Sequence, residues 1–257
     1  LRVPASVRAV FVQRRTRIIG TVFLPDATVD VVGGSLGDLV ATGSGSKRIE
    51  SAKVGAVVVS AAGQGNSIRI TESQLVSLSL INCSMDRSHI VVQRNTIETT
   101  MVAEGVSLRR GSVFDFSDNY VSSWIPNYVS SKLTFRHLLA SEISSVTMRN
   151  NLIRVGRDLP TVSFVNATIR FNSFHCFENF TVTCECARTG VDNAFNTGSG
   201  IHYDDGSSTD ATSWVSIANL STKFRLPSLI ALRAPQPVRL LFVQRRMAIM
   251  GHVFLPN

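Results

Sequence analysis

The sequence has no apolar run near the ~20 residues that a membrane-spanning helix requires. Its longest largely apolar stretch, Val54 to Ala62, is the length of a strand. Helical periodicity is equally scarce. Leu133 to Ser145 is the best amphipathic candidate, and Thr134, Ser141 and Ser144 interrupt it. Aromatic residues make up only 7% of the chain, against 17 Gly and many Ser and Thr, a balance that suits stacked β-structure better than a helical bundle. There is no phosphate-cradling Gly-rich loop and no His-Glu-x-x-His zinc helix. The chain begins at Leu1 with neither Met nor a signal-peptide pattern, as expected of a stretch of something longer.

Acidic residues are missing from both ends. Residues 1–25 hold five Arg and no Asp or Glu, and residues 223–257 hold six Lys or Arg and no acid, so the net charge of +8 sits at the termini. A basic end can meet an anionic surface. These ends lack interleaved aromatics, a nucleic-acid motif or a recognition helix, so nucleic acid is not an expected partner.

What is present is a register. Ile68-x-Ile70-x-x-Ser73-x-Leu75 is followed by Leu78-x-Leu80-x-x-Cys83-x-Met85 and Ile90-x-Val92-x-x-Asn95-x-Ile97. Phe114-x-Phe116-x-x-Asn119-x-Val121 and Val146-x-Met148-x-x-Asn151-x-Ile153 continue it, and Ala167-x-Ile169-x-x-Asn172-x-Phe174 is a weaker sixth match. Apolar residues two apart face one side of a strand. The corner that follows favours Asn, which tolerates left-handed backbone. Asn95, Asn119, Asn151 and Asn172 are therefore the expected structural corners. The pattern predicts an all-β right-handed parallel β-helix, a solenoid with irregular coils of about 21–32 residues.

The ends repeat each other. Residues 7–26 recur as residues 238–257, with thirteen of twenty positions identical at an offset of 231. Within the first copy Ile18, Gly20, Val22 and Leu24 alternate on one side of a strand, and Ile19 and Phe23 make the other side apolar too. Burial on both faces is the expectation for such a strand, with Arg14-Arg15 and Arg245-Arg246 in a basic turn. Gly/Ser-rich stretches and Ala234-Pro-Gln-Pro237 divide the chain into residues 1–46 (first repeat copy and entry), 47–233 (solenoid) and 234–257 (start of a second copy).

The four cysteines are Cys83, Cys176, Cys184 and Cys186. Cys83 stands at a corner of the register and reads as a small buried residue. The other three crowd together beside His175, but Cys-x-Cys with one His does not match zinc-ligand spacing. In an exported protein, a disulfide from Cys176 to Cys184 or Cys186 is expected. It would close a loop of about ten residues, contributing roughly 2–3 kcal/mol. Sequons stand at Asn82, Asn166, Asn179 and Asn219. Asn166, Asn179 and Asn219 are the expected glycan acceptors, whereas Asn82 sits against a strand.

β-helices also host polysaccharide hydrolases and lyases. Glycoside cleavage needs paired carboxylates facing one groove, and the candidates are Asp115, Asp118, Asp192, Asp204, Asp205 and Asp210. Asp204-Asp205-Gly206 echoes the polygalacturonase pair, but the Gly-His-Gly and Arg-x-Lys motifs are absent. No catalytic residue, metal ligand or cofactor is assigned on this reading.

Three stretches resemble the dispersed gene family protein 1 of trypanosomatid parasites. They are Gly20-Thr-Val-Phe-Leu-Pro-Asp-Ala-Thr-Val-Asp-Val-Val32, Gly111-Ser-Val-Phe-Asp-Phe-Ser-Asp-Asn-Tyr-Val121 and Asn172-Ser-Phe-His-Cys-Phe-Glu-Asn-Phe-Thr-Val-Thr-Cys-Glu-Cys186. The resemblance implies a large glycosylated cell-surface or secreted protein with a parallel β-helix ectodomain, anchored through membrane helices outside this sequence. It implies adhesion to host-cell or matrix macromolecules, and no catalysis.

Overall fold

The computed structural model describes residues 9–12, 16–123 and 132–155, and beyond these only strands; side chains are described for residues 16–122, 133–152 and 168. The chain is all-β, and its strands stack in parallel as a β-solenoid. Each coil contributes to a ten-stranded sheet (the front face), then to a fifteen-stranded sheet (the broad face), and, from Ala62–Gln64 onward, to a six-stranded sheet (the short face). The segment Leu133–Ser145, the best helical candidate in the sequence, is two strands, Lys132–Arg136 and Leu139–Ala140. Tertiary pairing overrides a weak helical period there.

The register read from the sequence is the register of the front face. Ile68, Ile90, Phe114 and Val146 are successive partners, as are Ile70, Val92, Phe116 and Met148. All eight side chains are buried, together with Leu75, Ile97 and Val121 of the neighbouring column. The side chain of Ile153, which continues that column, lies outside the described residues. Phe114 meets Phe135 of the broad face edge-on, with ring centroids 5.5 Å apart. The core is thus a set of aliphatic and aromatic columns running along the axis, each residue about 4.8 Å from its equivalent in the next coil.

Coils vary more than the sequence indicates. Corner steps of 22, 24 and 32 residues match it. Val29 pairs with Lys47 only 18 residues on, however, and Cys176 with Ser216, 40 on. The front face runs unbroken from Ala9–Val12 to Leu241–Val243, so it crosses positions 46 and 234, where loop composition divides the sequence.

Two readings of the first repeat copy separate here. Val22 and Leu24 are fully buried, as the alternation requires. On the other side Ile19 is 85% exposed and Phe23 47% exposed, so this strand is apolar on both faces and buried on one. The coils form a single-layered tube, and nothing among the described residues covers its outer surface.

Candidate functional site: inward ladders and a shared insertion corner

The turn from the front to the broad face has the same two-residue construction in successive coils. Its first residue takes a positive φ: Ser51, Glu72, Arg94, Asp118 and Asn150 lie between 51° and 57°. The second points inward and is buried: Ala52, Ser73, Asn95, Asn119 and Asn151. The corner asparagines are therefore not the left-handed residues that Asn's backbone tolerance suggested. Their value is the side-chain amide. Asn95 Nδ2 donates to Ile70 O at 2.8 Å, Asn119 Nδ2 to Val92 O at 2.8 Å and Asn151 Nδ2 to Phe116 O at 2.7 Å. The backbone N–H groups of Ser73, Asn95 and Asn119 each donate to the side-chain oxygen of the next coil's Asn, all at 3.0 Å. One buried amide thus satisfies a carbonyl on one coil and an N–H at the next corner.

Asn172 lies outside the described residues. The strands flanking it, Thr168–Ile169 and Phe174–Glu178, belong to the short and front faces. The sixth match therefore spans a different corner from Asn95, Asn119 and Asn151, because register matching on apolar residues alone cannot tell one face from another. The Leu78 match likewise turns from the broad to the short face, and Cys83 at its corner is a free, buried thiol. Burial pushes that thiol up to about 11.

A second inward row escaped sequence reading. Ser88, Ser112 and Ser144, each immediately before a front-face strand, are all buried. Ser88 N donates to Ser112 Oγ at 3.2 Å, and Ser112 Oγ donates to Met85 O at 3.0 Å. The signal was available, since Ser46, Ser173 and Ser213 also directly precede front-face strands.

One lysine interrupts the aliphatic columns. Lys47 stands between Val29 and Ile68 and is 1% exposed. Its ammonium donates to Ala27 O at 2.7 Å, Gly45 O at 3.0 Å, Ser44 O at 3.2 Å and Gly43 O at 3.4 Å. The loop Thr42 to Ser46 wraps this cation. A Cβ at Gly43 would lie 1.7 Å from Asp26 Oδ1, so no larger residue fits there. Burial lowers the Lys47 pKa, and the negative fields of Asp26 and Cys83 oppose that shift.

The carboxylates weighed for catalysis are dispersed. Asp115 points outward from the front face and is held by Gln93 Nε2 at 2.9 Å and by the Ser117 hydroxyl. Asp118 is a corner residue that accepts from Asn150 Nδ2 at 2.9 Å. Asp204 ends a strand of the broad face, in register with Val165. Asp192, Asp205 and Asp210 lie outside the described residues. The stretch Gly33-Gly34-Ser35-Leu36-Gly37 has the Gly-x-Ser-x-Gly spelling of a nucleophile elbow, which sequence reading missed and took as loop composition. Here Ser35 sits in a two-residue strand between Arg17 and Lys53, without the following helix that such an elbow requires. Among the described residues no group of three or more His, Cys, Asp or Glu is placed to hold a metal ion.

The most distinctive outer feature is a corner within the broad face. In three coils the chain turns it tightly, at Gly20, Gly37 and Gly55. A Cβ at Gly37 would lie 2.3 Å from Gly20 O, and one at Gly55 would lie 2.7 Å from Gly37 O. Val76 occupies the corner next and is 41% exposed. In the following coil three residues, Glu98, Thr99 and Thr100, span the step that Val76 and Ser77 span in the coil before, with Glu98 N donating to Leu75 O and Thr99 N to Val76 O at 2.9 Å. From there the strands on either side stay in register while the chain between them lengthens. The intervening residues are 124–131, 156–160 and 185–199. They lie outside the described residues, and their sequences include Trp124-Ile-Pro-Asn-Tyr128.

The expected disulfide maps onto the same region. Cys184 ends the strand that precedes residues 185–199, while Cys176 lies on the front face of the same coil. Their side chains, like all of Cys186, are outside the described residues. So are Arg14, Arg15, Arg245 and Arg246, and the sequon residues Asn166, Asn179 and Asn219. Each of those three asparagines directly follows a strand. The strand before Asn166 is in register with the one before His137, and the strand before Asn179 with the one before Asn150. Asn82, set aside on sequence as lying against a strand, is an exposed corner residue with φ of 51°.

No protein-family model, no curated protein and no solved structure matches this chain.

Proposed function

We propose that this chain is a non-catalytic structural and adhesive segment of a glycosylated cell-surface or secreted protein. The solenoid acts as a rigid rod, and the residues inserted at its shared corner contact host-cell or matrix macromolecules. One observation carries the reading. Successive coils keep their register on both sides of a single corner while insertions of different length and composition leave from it, which is how a repeat scaffold presents a binding face. The resemblance to the dispersed gene family surface proteins supports the same reading, and membrane attachment then belongs to parts of the parent chain beyond this sequence.

The test is binding of the full chain to immobilised glycosaminoglycans, collagen and intact host cells. It is compared with a variant whose residues 124–131 and 185–199 are replaced by Gly/Ser segments of equal length. Saturable binding that falls at least tenfold in the variant, with the β-sheet circular dichroism spectrum unchanged, supports the proposal. Equal binding by both chains, or none by either, sinks it. Cleavage of a polysaccharide in the same panel, abolished by Asp115→Asn or Asp204→Asn, would establish the carbohydrate-active alternative.

A further inference from the structure

The sequons fall on two corners of the coil. Ile81, Glu104, Arg136 and Val165 are successive partners at the end of the broad face. Ser84, Ser107, Leu139 and Thr168 are successive partners at the start of the short face. Asn82-Cys83-Ser84 and Asn166-Ala167-Thr168 therefore bridge the same corner of different coils. Asn179 and Asn219 share the front-to-broad corner in the same way, since Glu178 pairs with Ala218 and Thr181 with Ser221. The coincidence has a physical reason. A corner of this solenoid is an outward residue suited to left-handed backbone, an inward residue, and an outward residue that opens the next strand. Asn suits the first place and Ser or Thr the third, which is the spacing of a sequon.

Asn82 is the sequon asparagine whose side chain is described. It is exposed and takes a φ of 51°, Ser84 is exposed too, and Cys83 between them is fully buried. The corner turns the middle residue into the core and leaves the amide and the hydroxyl facing solvent. Asn95, Asn119 and Asn151 commit their amides to the inward ladder. Among the described residues nothing hydrogen-bonds the Asn82 amide or the Ser84 hydroxyl. The next coil has Gly105 at this place, where a Cβ would come within 2.5 Å of Asn82 Oδ1. The adjoining outward column of the short face consists of Ala62, Ser84 and Ser107, so small side chains flank the amide.

We infer that Asn82, set aside on sequence, is an N-glycan acceptor. The inference rests on the reading of this chain as part of an exported protein. Asn82 Nδ2 attacks the anomeric carbon of an oligosaccharide carried on a lipid diphosphate. A C–N bond forms, the C–O bond to the diphosphate breaks, the lipid diphosphate leaves with the electron pair, and an amide proton passes to a base of the transferase. The product keeps its place in the fold, because the substituted amide holds no buried partner and the glycan leaves outward from the corner.

The full chain, led by a secretion signal, is expressed in a eukaryotic host and compared with Asn82→Gln and Ser84→Ala. Glycans are removed enzymatically in heavy-oxygen water, which turns each occupied asparagine into a labelled aspartate that peptide mapping locates. The expected result is label at position 82 in most secreted chains, lost in both variants, with Cys83 unreactive toward thiol reagents until the chain unfolds. Position 82 unlabelled beside label at 166, 179 or 219 overturns the inference and leaves the glycoprotein reading standing. No label at any sequon overturns both. Label at 82 confined to chains retained in the cell, with Cys83 open to thiol reagents, also overturns it, since the glycan then marks chains that have not folded.

Discussion

Asn119 Oδ1 accepts two hydrogen bonds from Asn95, one from its backbone N–H at 3.0 Å and one from its Nδ2 at 3.1 Å. The same pair of contacts joins Asn119 to Asn151, at 3.0 and 3.2 Å. A buried amide that both donates and accepts is therefore required at this corner. Asn119→Ala leaves Val92 O and Asn95 N–H unpartnered in the core, and is expected to cost about 2–4 kcal/mol in urea unfolding. Asn119→Asp keeps the acceptor but loses the donor and buries a carboxyl group. Its destabilisation should be larger at pH 7 than at pH 4, and equal stability at the two pH values would refute the ladder's double role.

Cys83 gives a pH signature. Its thiol is raised from 9.0 to about 11 by burial, so the folded chain holds a proton that the unfolded chain releases. The stabilisation is complete below pH 9 and is lost as pH rises through about 11. Across that window the wild type should lose about 2–3 kcal/mol relative to Cys83→Ala, two pKa units at about 1.4 kcal/mol each. Parallel stability curves for the two chains from pH 8 to 11 would contradict the burial. Native Cys83 should also resist thiol reagents until the protein unfolds.

Lys47 has the opposite sign. Its pKa in the fold is lowered, so between that value and 10.5 the unfolded chain binds more protons and stability rises with pH. Lys47→Met should remove this rise, and at neutral pH it should cost little, because a buried charge gives way to an apolar side chain in an apolar column. The loop that the ammonium gathers should loosen instead. Amide exchange at residues 43–46 should speed up at least tenfold in Lys47→Met, and unchanged protection would show that the loop holds its shape without the cation.

Gly37→Ala tests the tight corner. The added methyl would collide with backbone atoms of Gly20 rather than with a movable side-chain tip. A loss of about 1–3 kcal/mol is expected from the forced shift, while a similar methyl at Gly20, which has nothing within 4 Å, is opposed only by its φ of 95°. If Gly37→Ala melts at the wild-type temperature, the coils are less closely stacked at this corner than described.

The front-face columns were legible because strand alternation is local. Ile68 and Ile70, or Phe114 and Phe116, must face one way whatever surrounds them. The Asn corners were legible as positions but not as chemistry. Only stacking shows that Asn95 bonds Ile70 and Asn119 while Arg94 takes the left-handed turn. The serine row and the contact of Lys47 with Ala27 were hidden for the same reason, since those partners lie 20 to 27 residues away in sequence.

By itself, then, the sequence determined the class of fold and the inward residues of the strands in the register, because those follow from side-chain alternation within five or six residues. Tertiary structure decided which face each strand joins, which corner holds the insertions and which side of the first repeat copy meets solvent. Ile19 and Phe23 are as apolar as Val22 and Leu24. Only the pairing of coil on coil turns one pair into the core and leaves the other on the surface.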